Sequence, residues 1–374
     1  MKRKAIISVT NDLFHDQRVH KVSLFLKNTG IDVILLGRKL KNSEPIIRPY
    51  RTHRMHLIFN KNVWFYAEYN IRLFFYLLFH KTDILVANDL DTLPANYIIS
   101  RLKNIPLYYD THEFFIGVPE LQQNKFAKFV WTKIESYIFP KLKNVYTVNT
   151  SIAGLYKEMY GNSIQVVRNI PSLVTFPKVF KTRVDLGLPL DKKIVILQGA
   201  GINIDRGAEE AVEAMKYLQN TILLIAGSGD VIDSLKVRVN KENLNDKVIF
   251  KDKMLYDELI QYTANSDLGL TLDKDNNLNY RYSLPNKLFD YIHAGIPVLS
   301  SNLIELKNII HHYQIGLITP SHDPKVLSDK ITEALLDDKQ KQWRINLKRA
   351  YLELNWEKEE KVLKQIYNLP TEIV

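Results

Sequence analysis

The 374-residue sequence contains no cysteine, which excludes disulfide bonds and metal sites built from thiolates. This absence fits a reducing compartment, and we expect a cytoplasmic protein. No low-complexity tract is present, and a composition of 46% hydrophobic and 25% charged residues is typical of a folded protein. The apolar part of the N-terminal run MKRKAIISVT is too short for a signal peptide, so it predicts a first β-strand.

Long hydrophobic runs are also missing. In the most aromatic segment, residues 61–81, the longest unbroken apolar run is Leu73–Phe79, far short of the roughly 20 residues that cross a membrane. Two interpretations stay open for this segment. Trp64 and Phe65 belong either to a helix packed on a sheet or to an interfacial helix that binds lipid, flanked by Lys61, Arg72 and Lys81.

Positive charge is concentrated in one half of the chain. Residues 1–190 contain 27 Lys and Arg against 14 Asp and Glu, a balance of +13, whereas residues 191–374 balance at −3. The basic half indicates an anionic partner, either a membrane surface or a phosphorylated substrate. Nucleic acid is the weaker alternative, and we predict no such partner, because no recognisable nucleic-acid-binding motif is present.

Strand-like apolar runs alternate with amphipathic segments along the whole chain, and hairpin signals are few. This alternation predicts parallel sheets covered by helices on both faces. Residues 173–190 are rich in proline and have no period, so they are the predicted linker. The linker separates a first domain, 1–172, from a second, 191–355, and residues 356–374 are predicted to form a late amphipathic helix.

The segment SLPNKLFDYIHAGIP, residues 283–297, carries the strongest chemical signal. Pro285 precedes a predicted helix over Asn286–His293. The unpaired amides of a first helical turn suit a diphosphate, and a cation at that position, Lys287, is unfavourable unless an anion lies nearby. Asp290, one turn later, can accept hydrogen bonds from ribose hydroxyls. The alternative is a surface loop with a solvated lysine.

Two glycine-containing loops follow predicted strands in the same half. In GAGINIDRG, residues 199–207, the glycines allow close approach of a ligand to the backbone, and Arg206 opens a helix. The loop lacks the G-x-G-x-x-G spacing, which disfavours a nicotinamide-dependent oxidoreductase. The second loop, AGSGD at 226–230, is by itself equally consistent with a plain turn.

These segments resemble retaining GT-B glycosyltransferases of the group 1, or family 4, class. Asp290 occupies the position of the Glu that precedes an Ala-Met-Ala-x-Gly-x-Pro-like stretch in the family, whereas Tyr282 replaces a second Glu that is common eight residues earlier. Arg206 stands in place of a family lysine and, with Lys287, would neutralise the leaving diphosphate. The resemblance further implies donor binding by Gly199, Gly201, Gly227, Gly229, Lys251, Ser283, Leu284, Pro285, Asn286 and Asp290.

The first domain is then expected to bind the acceptor. The polar residues that follow its predicted strands are Asn11, Asp16, Arg18, Asn88, Asp89 and Glu113. The segment YYDTHEF resembles the family's Asp-x-His-Glu-like segment, in which His112 would reach the donor sugar or its diphosphate. A helix-capping cluster of His112 with Asp110 is the alternative. We predict no metal site, because no second histidine has metal-ligand spacing and the Asp89-Leu90-Asp91 pair lies in the acceptor half.

The resemblance implies an α/β fold of the GT-B class. Two tandem Rossmann-like, doubly wound parallel-sheet domains would face each other across a cleft, and the C-terminal helix would cross back to the first domain. The implied activity is metal-independent transfer of a hexosyl or related sugar, with retention, from a nucleotide-diphosphate sugar to a glycan or lipid-linked acceptor.

Such transfer would serve cell-surface polysaccharide or glycolipid synthesis. The nucleotide sugar is a substrate, so no cofactor is expected. The predicted location is cytoplasmic, with peripheral binding to the inner face of the membrane as a further possibility. Two alternatives stay open: a GT-B-fold sugar-nucleotide epimerase, and a catalytically silent subunit of a polysaccharide-assembly complex.

Overall fold

A computed structural model describes residues 2–122, 124–174 and 176–370, without the side chains of residues 119 and 120. Thr175 of the predicted linker and residues 371–374 of the predicted C-terminal helix lie outside the described residues. The chain divides into two compact units. The first unit contains residues up to Asn169, Asn277–Asn279 and the residues from Glu359 onward, and the second contains Ile170–Asn276 and Tyr280–Lys358.

The first unit contains a parallel sheet and its covering helices. Its strands are β1 (Lys4–Ser8), β2 (Asp32–Lys39), β3 (Arg51–His56), β4 (Ile84–Asn88), β5 (Leu107–Thr111), β6 (Asn144–Thr147) and β7 (Gln165–Val166). Its helices are α1 (Gln17–Asn28), α2 (Asn62–Phe79), α3 (Leu93–Lys103), α4 (Pro119–Gln122), α5 (Lys125–Ile138) and α6 (Thr150–Tyr160), with 3-10 turns at Phe115–Gly117 and Phe139–Lys141.

The second unit repeats this organisation. Its strands are β8 (Lys193–Gly199), β9 (Thr221–Gly227), β10 (Val248–Lys251), β11 (Leu268–Thr271), β12 (Val298–Ser301) and β13 (Gly316–Thr319). The remaining helices are α7 (Ala208–Ala214), α8 (Ile232–Lys241), α9 (Tyr256–Ala264), α10 (Leu278–Arg281), α11 (Asn286–Ala294), α12 (Ile304–Tyr313), α13 (Pro324–Ala334), α14 (Asp337–Glu353) and α15 (Trp356–Ile366).

Both sheets are doubly wound. The strand order of the first is β3-β2-β1-β4-β5-β6-β7, that of the second is β10-β9-β8-β11-β12-β13, and the paired strands run parallel. The strand order reverses between β1 and β4 and between β8 and β11, and ligands of such sheets bind at these switch points. The predicted parallel, helix-covered sheets are confirmed.

Strand β8 shows why the second sheet is buried on both faces. Its sequence KIVILQG is a nearly continuous apolar run, as expected for a central parallel strand. Val195 and Leu197 belong to the hydrophobic core on one face, and Ile194 and Ile196 to the core on the other. Alternating side chains therefore anchor the sheet between two layers of helices, which fixes the carboxyl ends of its strands.

Several elements of the structure carry no strong sequence signal. The edge strand β3, RTHRMH, buries only Met55, so it shows no apolar run and is absent from the prediction. The helix that follows Arg206 begins only at Ala208, because Gly207 at its N-cap adopts a left-handed conformation with φ of 79°, and it ends at Ala214. The described part of the predicted linker contains turns without a helix or strand.

Helix α2 has features of both structures predicted for the aromatic segment, a face packed in the unit and an exposed apolar face. Its inner face, formed by Phe65, Tyr69, Leu73 and Leu77, is buried in the first unit. Its outer stripe consists of Trp64, Ile71, Phe75 and Phe79, which are 65%, 58%, 51% and 77% exposed. Trp64 and Phe65, which the sequence treats together, therefore lie on different faces. Within the described residues, no helix is both long and apolar enough to cross a membrane.

Candidate functional site

The donor residues predicted in the second unit lie at the carboxyl edge of its sheet. Strands β8 and β11 flank the switch point, and Arg206 follows β8 while Asp273 follows β11. Helix α11 begins at Asn286 after the loop that leaves α10.

Arg206 and Lys287 converge on one buried carboxylate. Nη1 of Arg206 donates to Oδ1 of Asp273 at 2.8 Å, and Nζ of Lys287 lies 4.0 Å from Oδ2 of the same side chain. Asp273 is fully buried, and the Lys287 side chain is 12% exposed. Burial lowers the pKa of the Lys287 ammonium below its ordinary value, an effect that the negative charge of Asp273 offsets only in part. This Asp273 cluster carries two cations and one anion.

Hydrogen bonding in the Asp273 cluster is incomplete. Nε of Arg206 and Oδ2 of Asp273 are buried atoms without a hydrogen-bond partner among the described residues. Arg206 also contacts Tyr280, through a side-chain hydrogen bond and with its guanidinium 4.3 Å from the ring centroid. Buried polar atoms are usually paired, so unpaired ones indicate a place where a polar ligand can bind.

Helix α11 presents its N-terminus at the same edge. Pro285 occupies the N-cap, and no described side chain caps the first turn. The Leu288 amide donates to the Pro285 carbonyl at 3.1 Å, so the donors that this turn offers are the amides of Asn286 and Lys287. Ser283 lies just before this turn with a buried Oγ that has no partner in the described part of the chain. Leu284 packs against the core, while Asn286 is exposed.

Asp290 lies on the buried side of α11 in a hydrogen-bond network. Its Oδ2 accepts from Nε2 of Gln198 at 3.1 Å, and its Oδ1 accepts from the Tyr256 hydroxyl at 2.7 Å. The Thr263 hydroxyl donates in turn to Oε1 of Gln198 at 2.7 Å. Burial, followed by the Asp290 charge, raises the pKa of Tyr256, so its hydroxyl remains a donor. The network holds the carboxylate in one orientation.

The four glycines that are predicted to bind the donor differ in how tightly they are packed. A Cβ atom at Gly227 or Gly229 would overlap the carbonyl oxygens of Gly199 and Ile202, so loop-to-loop packing itself requires glycine there. At Gly199 and Gly201, the nearest atoms to an added Cβ lie 3.8 Å and 3.7 Å away. Local packing therefore does not require glycine at 199 and 201, and the space beside them suits close approach of a ligand.

Lys251 ends strand β10 on the same side of the sheet. Its Nζ lies 5.3 Å from the ring centroid of Tyr262, a cation–π distance. The side chain is partly exposed. Its predicted contact with the donor stays a prediction.

In the first unit, His112 forms a cluster with three polar side chains at the carboxyl edge. Its Nδ1 lies 3.2 Å from Oδ2 of Asp89, and its Nε2 lies 3.4 Å from Oδ2 of Asp110 and 3.2 Å from Oδ1 of Asn88. Burial alone would lower the pKa of His112, but Asp89 and Asp110 outweigh it and raise the pKa to about 9. The imidazole is therefore a cation at neutral pH. We call this group the His112 cluster.

Burial at this edge raises the pKa of both Asp89 and Asp91. Asp89 adopts a left-handed backbone with φ of 58°, and its Oδ1 accepts from the His112 amide at 2.8 Å. Burial, reinforced by Asp89, raises the pKa of Asp91 to about 7, although the Thr10 hydroxyl donates to it at 2.6 Å. Among the described residues, no group of three or more acidic or histidine side chains could hold a metal ion.

The other predicted acceptor residues make hydrogen bonds within the first unit. Arg18, 4% exposed, donates through Nε and Nη2 to Asp110 at 2.6–3.0 Å and through Nη1 to the Val167 carbonyl at 2.6 Å. Asn11 donates to Asp16 at 2.6 Å, and Asp16 caps α1 by accepting from the Val19 amide. The carbonyl of Glu113 accepts from the Thr111 hydroxyl at 2.7 Å.

A large cavity of the first unit lies at the opposite edge from these residues. It has a volume of about 1220 Å³ and follows the amino ends of β1 to β5. Two of its lining residues, Asp32 and Asp83, are acidic. Its basic lining residues are Lys2, Arg3, Lys4, Lys27, Arg48, Arg51, Lys81 and Lys103. We call it the basic cavity, and part of the positive charge of the first half is gathered here.

Sequence reasoning missed three residues of the second unit that organise the candidate site. Asp273 was available to the rule that functional residues follow strands, because it stands two residues after β11. Gln198 ends the apolar run of β8, so the sequence pattern indicates only one more residue of a buried strand. Tyr256 opens α9 without any local sign of its contact with Asp290, which lies 34 residues later.

The family described as "Glycosyl transferases group 1" matches residues 180–350, which include two segments that carry the predicted resemblance, 199–207 and 283–297. A curated relative, chitobiosyldiphosphodolichol beta-mannosyltransferase from Candida albicans, is 24% identical over 255 residues, 65% of this chain and 53% of the relative. The chain thus matches about half the length of that relative.

Solved structures share the fold at low sequence identity. Sucrose-phosphate synthase from Thermosynechococcus elongatus superposes with a TM-score of 0.80 at 19% identity, covering 98% of both chains. The Anabaena protein Alr3699/HepE, solved in complex with UDP and glucose, gives a TM-score of 0.76 at 12% identity, covering 98% of this chain and 99% of that one. The predicted GT-B fold class is confirmed.

Proposed function

We propose, from the premise that residues 180–350 belong to the glycosyl transferases group 1 family, that the protein transfers a sugar from a nucleoside-diphosphate sugar to a glycan or lipid-linked acceptor. The observation that carries the proposal is the Asp273 cluster beside the uncapped N-terminus of α11. Two cations, the first-turn amides of Asn286 and Lys287, and unpaired buried polar atoms meet at the switch point of the matched sheet. This combination suits a diphosphate.

In the proposed reaction the cations act on the leaving group. Arg206 and Lys287 stabilise the negative charge that grows on the diphosphate as its bond to the sugar breaks, and the α11 amides add hydrogen bonds. Asp290 orients the ribose, within the network of Gln198 and Tyr256. Gly199 and Gly201 let the backbone approach the donor closely. The work of the protein is positioning and charge stabilisation.

The Anabaena structure holds UDP, which makes a uridine nucleotide the first donor to test. Retention of the anomeric configuration is expected from the family resemblance. The name of the Candida relative specifies a beta linkage, so the anomeric configuration of the product should be determined by proton NMR against that of the donor.

For the first unit we propose acceptor binding at the carboxyl edge near Asn88, Asp89 and Glu113, with His112 as the adjacent cation. The name of the Candida relative denotes a sugar linked to diphosphodolichol, which supports a lipid-linked acceptor. The product would enter polysaccharide or glycolipid synthesis. Asn11, Asp16 and Arg18 are already engaged within the unit, so we assign them to shaping this edge.

We further propose that the first unit binds an anionic membrane surface. The outer stripe of α2 exposes three aromatic rings and Ile71, and the exposed Lys61 and Lys81 flank it. Lys81 also lines the basic cavity, so apolar and basic groups meet near the C-terminal end of α2. Each basic residue near an anionic surface contributes about 1 kcal/mol, and salt weakens the attraction.

The transferase proposal is tested by ligand binding and product analysis. UDP, GDP and ADP are compared by thermal shift, since a ligand of the native state raises the melting temperature. The corresponding nucleotide sugars are then assayed with and without an acceptor. We expect one nucleotide to stabilise the protein and sugar transfer to continue in EDTA; loss of transfer that magnesium or manganese restores would contradict metal independence.

The same assay separates the alternatives. A sugar-nucleotide epimerase releases nucleotide or an epimerised sugar without glycosylating any acceptor. A silent subunit of an assembly complex binds donor without turnover. Nucleotide release that depends on acceptor, with an acceptor-linked sugar as product, supports the transferase.

Membrane binding is tested by co-sedimentation with anionic and neutral vesicles at two salt concentrations. We expect binding to anionic vesicles that weakens with salt, and a reduction in the Trp64→Ala/Phe75→Ala variant. Tyr217→Ala removes an exposed ring of the second unit and is the matched control. Equal absence from both vesicle pellets would favour a water-soluble acceptor.

A further inference from the structure

Asp273 is the unusual member of its cluster. A site that serves only to bind a diphosphate needs cations and amide donors, yet here a fully buried carboxylate stands between the two cations. Asp273 stands two residues after β11 at the switch point, so the end of this strand sets its position.

The pairing of Asp273 is weaker than that of the comparable buried aspartate in the first unit. Asp110 accepts three hydrogen bonds from the guanidinium of Arg18, at 2.6–3.0 Å. Asp273 accepts one from Arg206, and its Oδ2 has only the 4.0 Å approach of Lys287. A carboxylate that served only to neutralise Arg206 would be expected to bind it bidentately.

Two buried atoms of the Asp273 cluster have no hydrogen-bond partner among the described residues, Nε of Arg206 and Oδ2 of Asp273. The Thr271 hydroxyl, two positions before Asp273 at the end of β11, is likewise buried without a partner in the described part of the chain. A buried polar atom without a partner destabilises the fold, because it has lost its hydrogen bonds to water without replacing them. The charged side chains of the Asp273 cluster can therefore exchange their present partners for those of a polar ligand.

Resting on the proposed function, we propose that Asp273 is an internal counterion whose pairing with Arg206 and Lys287 is replaced by the donor diphosphate. When the sugar has been transferred, Asp273 competes with the nucleoside diphosphate for the same two cations and speeds its release. Asp273 is thus a positioning residue that lowers affinity for the product.

The test compares Asp273→Asn with Asp267→Asn. Asparagine keeps the shape of Asp273 and removes its charge. Asp267 lies just before the other end of β11 and pairs with Arg183 at 2.8 Å, so its variant also loses an ion pair of the second unit and is the matched control. The dissociation constant of UDP, or of whichever nucleoside diphosphate binds the wild type, is measured by calorimetry, and its dissociation rate by stopped flow.

We expect Asp273→Asn to bind the nucleoside diphosphate at least fivefold more tightly, with slower dissociation and with kcat and the donor KM both reduced. Asp267→Asn should leave the dissociation constant within twofold of wild type. Unchanged or weaker binding by folded Asp273→Asn overturns the inference while the transferase proposal stands. If the wild type binds no nucleoside diphosphate, both proposals fail.

A second measurement covers the case in which the variant is unstable. Removing the carboxylate leaves two cations without their counterion, and inorganic pyrophosphate should then replace it. We expect pyrophosphate to raise the melting temperature of Asp273→Asn more than that of wild type. A variant that pyrophosphate cannot stabilise would show that Asp273 is a structural counterion only, and would overturn the inference.

Discussion

The His112 cluster and the Asp273 cluster place similar charges in similar positions, at the carboxyl edges of two parallel sheets. In the His112 cluster, Asp110 is buried and accepts several hydrogen bonds from the neighbouring buried Arg18. In the second, Arg206 and Asp273 share one hydrogen bond and keep unpaired buried atoms. The difference teaches that the position of a charge does not reveal its role. The completeness of its hydrogen bonding distinguishes a charge used by the fold from one available to a ligand.

The largest effect should come from breaking the complete pair. In Arg18→Met, Asp110 loses its hydrogen-bonded counterion and keeps only the His112 imidazole at 3.4 Å, while the Val167 carbonyl loses a donor. This should destabilise the first unit by about 3–5 kcal/mol. Hydrogen exchange in β1 and β5 is the measurement, because a single melting temperature would mix two units. Arg51→Met, which breaks the exposed pair with Asp32, should cost less than about 1 kcal/mol. Equal effects of the two substitutions would refute this interpretation of the pair.

The protonated state of His112 should appear as a pH-dependent contribution to stability. Its pKa is about 9 in the folded protein, above the ordinary value of 6.5, so the contribution is complete below pH 6.5 and is lost as the pH rises through 9. We expect His112→Gln to lower the free energy of unfolding of the first unit by about 2 kcal/mol at pH 6 and by much less at pH 10. His56→Gln, on the exposed edge strand, is the control. A pH-independent difference would mean that the imidazole is neutral.

In the Asp273 cluster, substitution should affect turnover more than stability. Arg206→Ala and Lys287→Ala each remove a charge that stabilises the leaving diphosphate, so each should lower turnover at least tenfold, about 1.4 kcal/mol of barrier. Arg349→Ala and Lys325→Ala, which remove exposed cations of the same unit, are matched controls. Wild-type turnover in both folded variants would place the donor site elsewhere.

The smallest effect is expected at Asp290. Asp290→Asn keeps the shape but replaces the charged acceptor, so nucleotide binding should weaken less than tenfold. Tyr256→Phe removes only the hydroxyl that donates to Asp290, and it separates loss of the network from loss of the carboxylate. A nucleotide dissociation constant that is unchanged in both variants would move the ribose contact to another residue.

The sequence predicts the fold well for strands that are buried on both faces of the sheet. Central strands such as β8 are apolar on both faces, and the alternation with helices sets their parallel direction. Strand β3 was not predicted because hydrogen bonding to β2 defines it, while its own side chains are mostly polar and exposed. Helix α14 was missed for a related reason, since its surface is largely charged and it buries only four residues, Gln340, Trp343, Leu347 and Ala350.

Site residues follow a similar division. The segment 283–297 and the glycine loops are local patterns, so the sequence places them beside predicted strand ends. Contacts between distant segments cannot be read in that way: Arg206 and Asp273 are 67 positions apart, and Arg18 and Asp110 are 92 apart. The sequence therefore names the charged residues, and the structure alone tells which of them are already neutralised.

The first unit combines the beginning and the end of the chain, and this affects how it folds during synthesis. Tyr367 is buried there, with its ring 4.1 Å from that of Tyr108 and its hydroxyl 3.1 Å from that of Tyr146. The ribosome adds roughly 190 residues between Asn169 and this last part of the unit, which takes about 10–40 s at ordinary rates of synthesis. During that interval the nascent first unit has an exposed aromatic surface where Tyr367 will pack. The unit that begins first is therefore completed last, and a chain shortened before Tyr367 should be recognised by chaperones as unfinished.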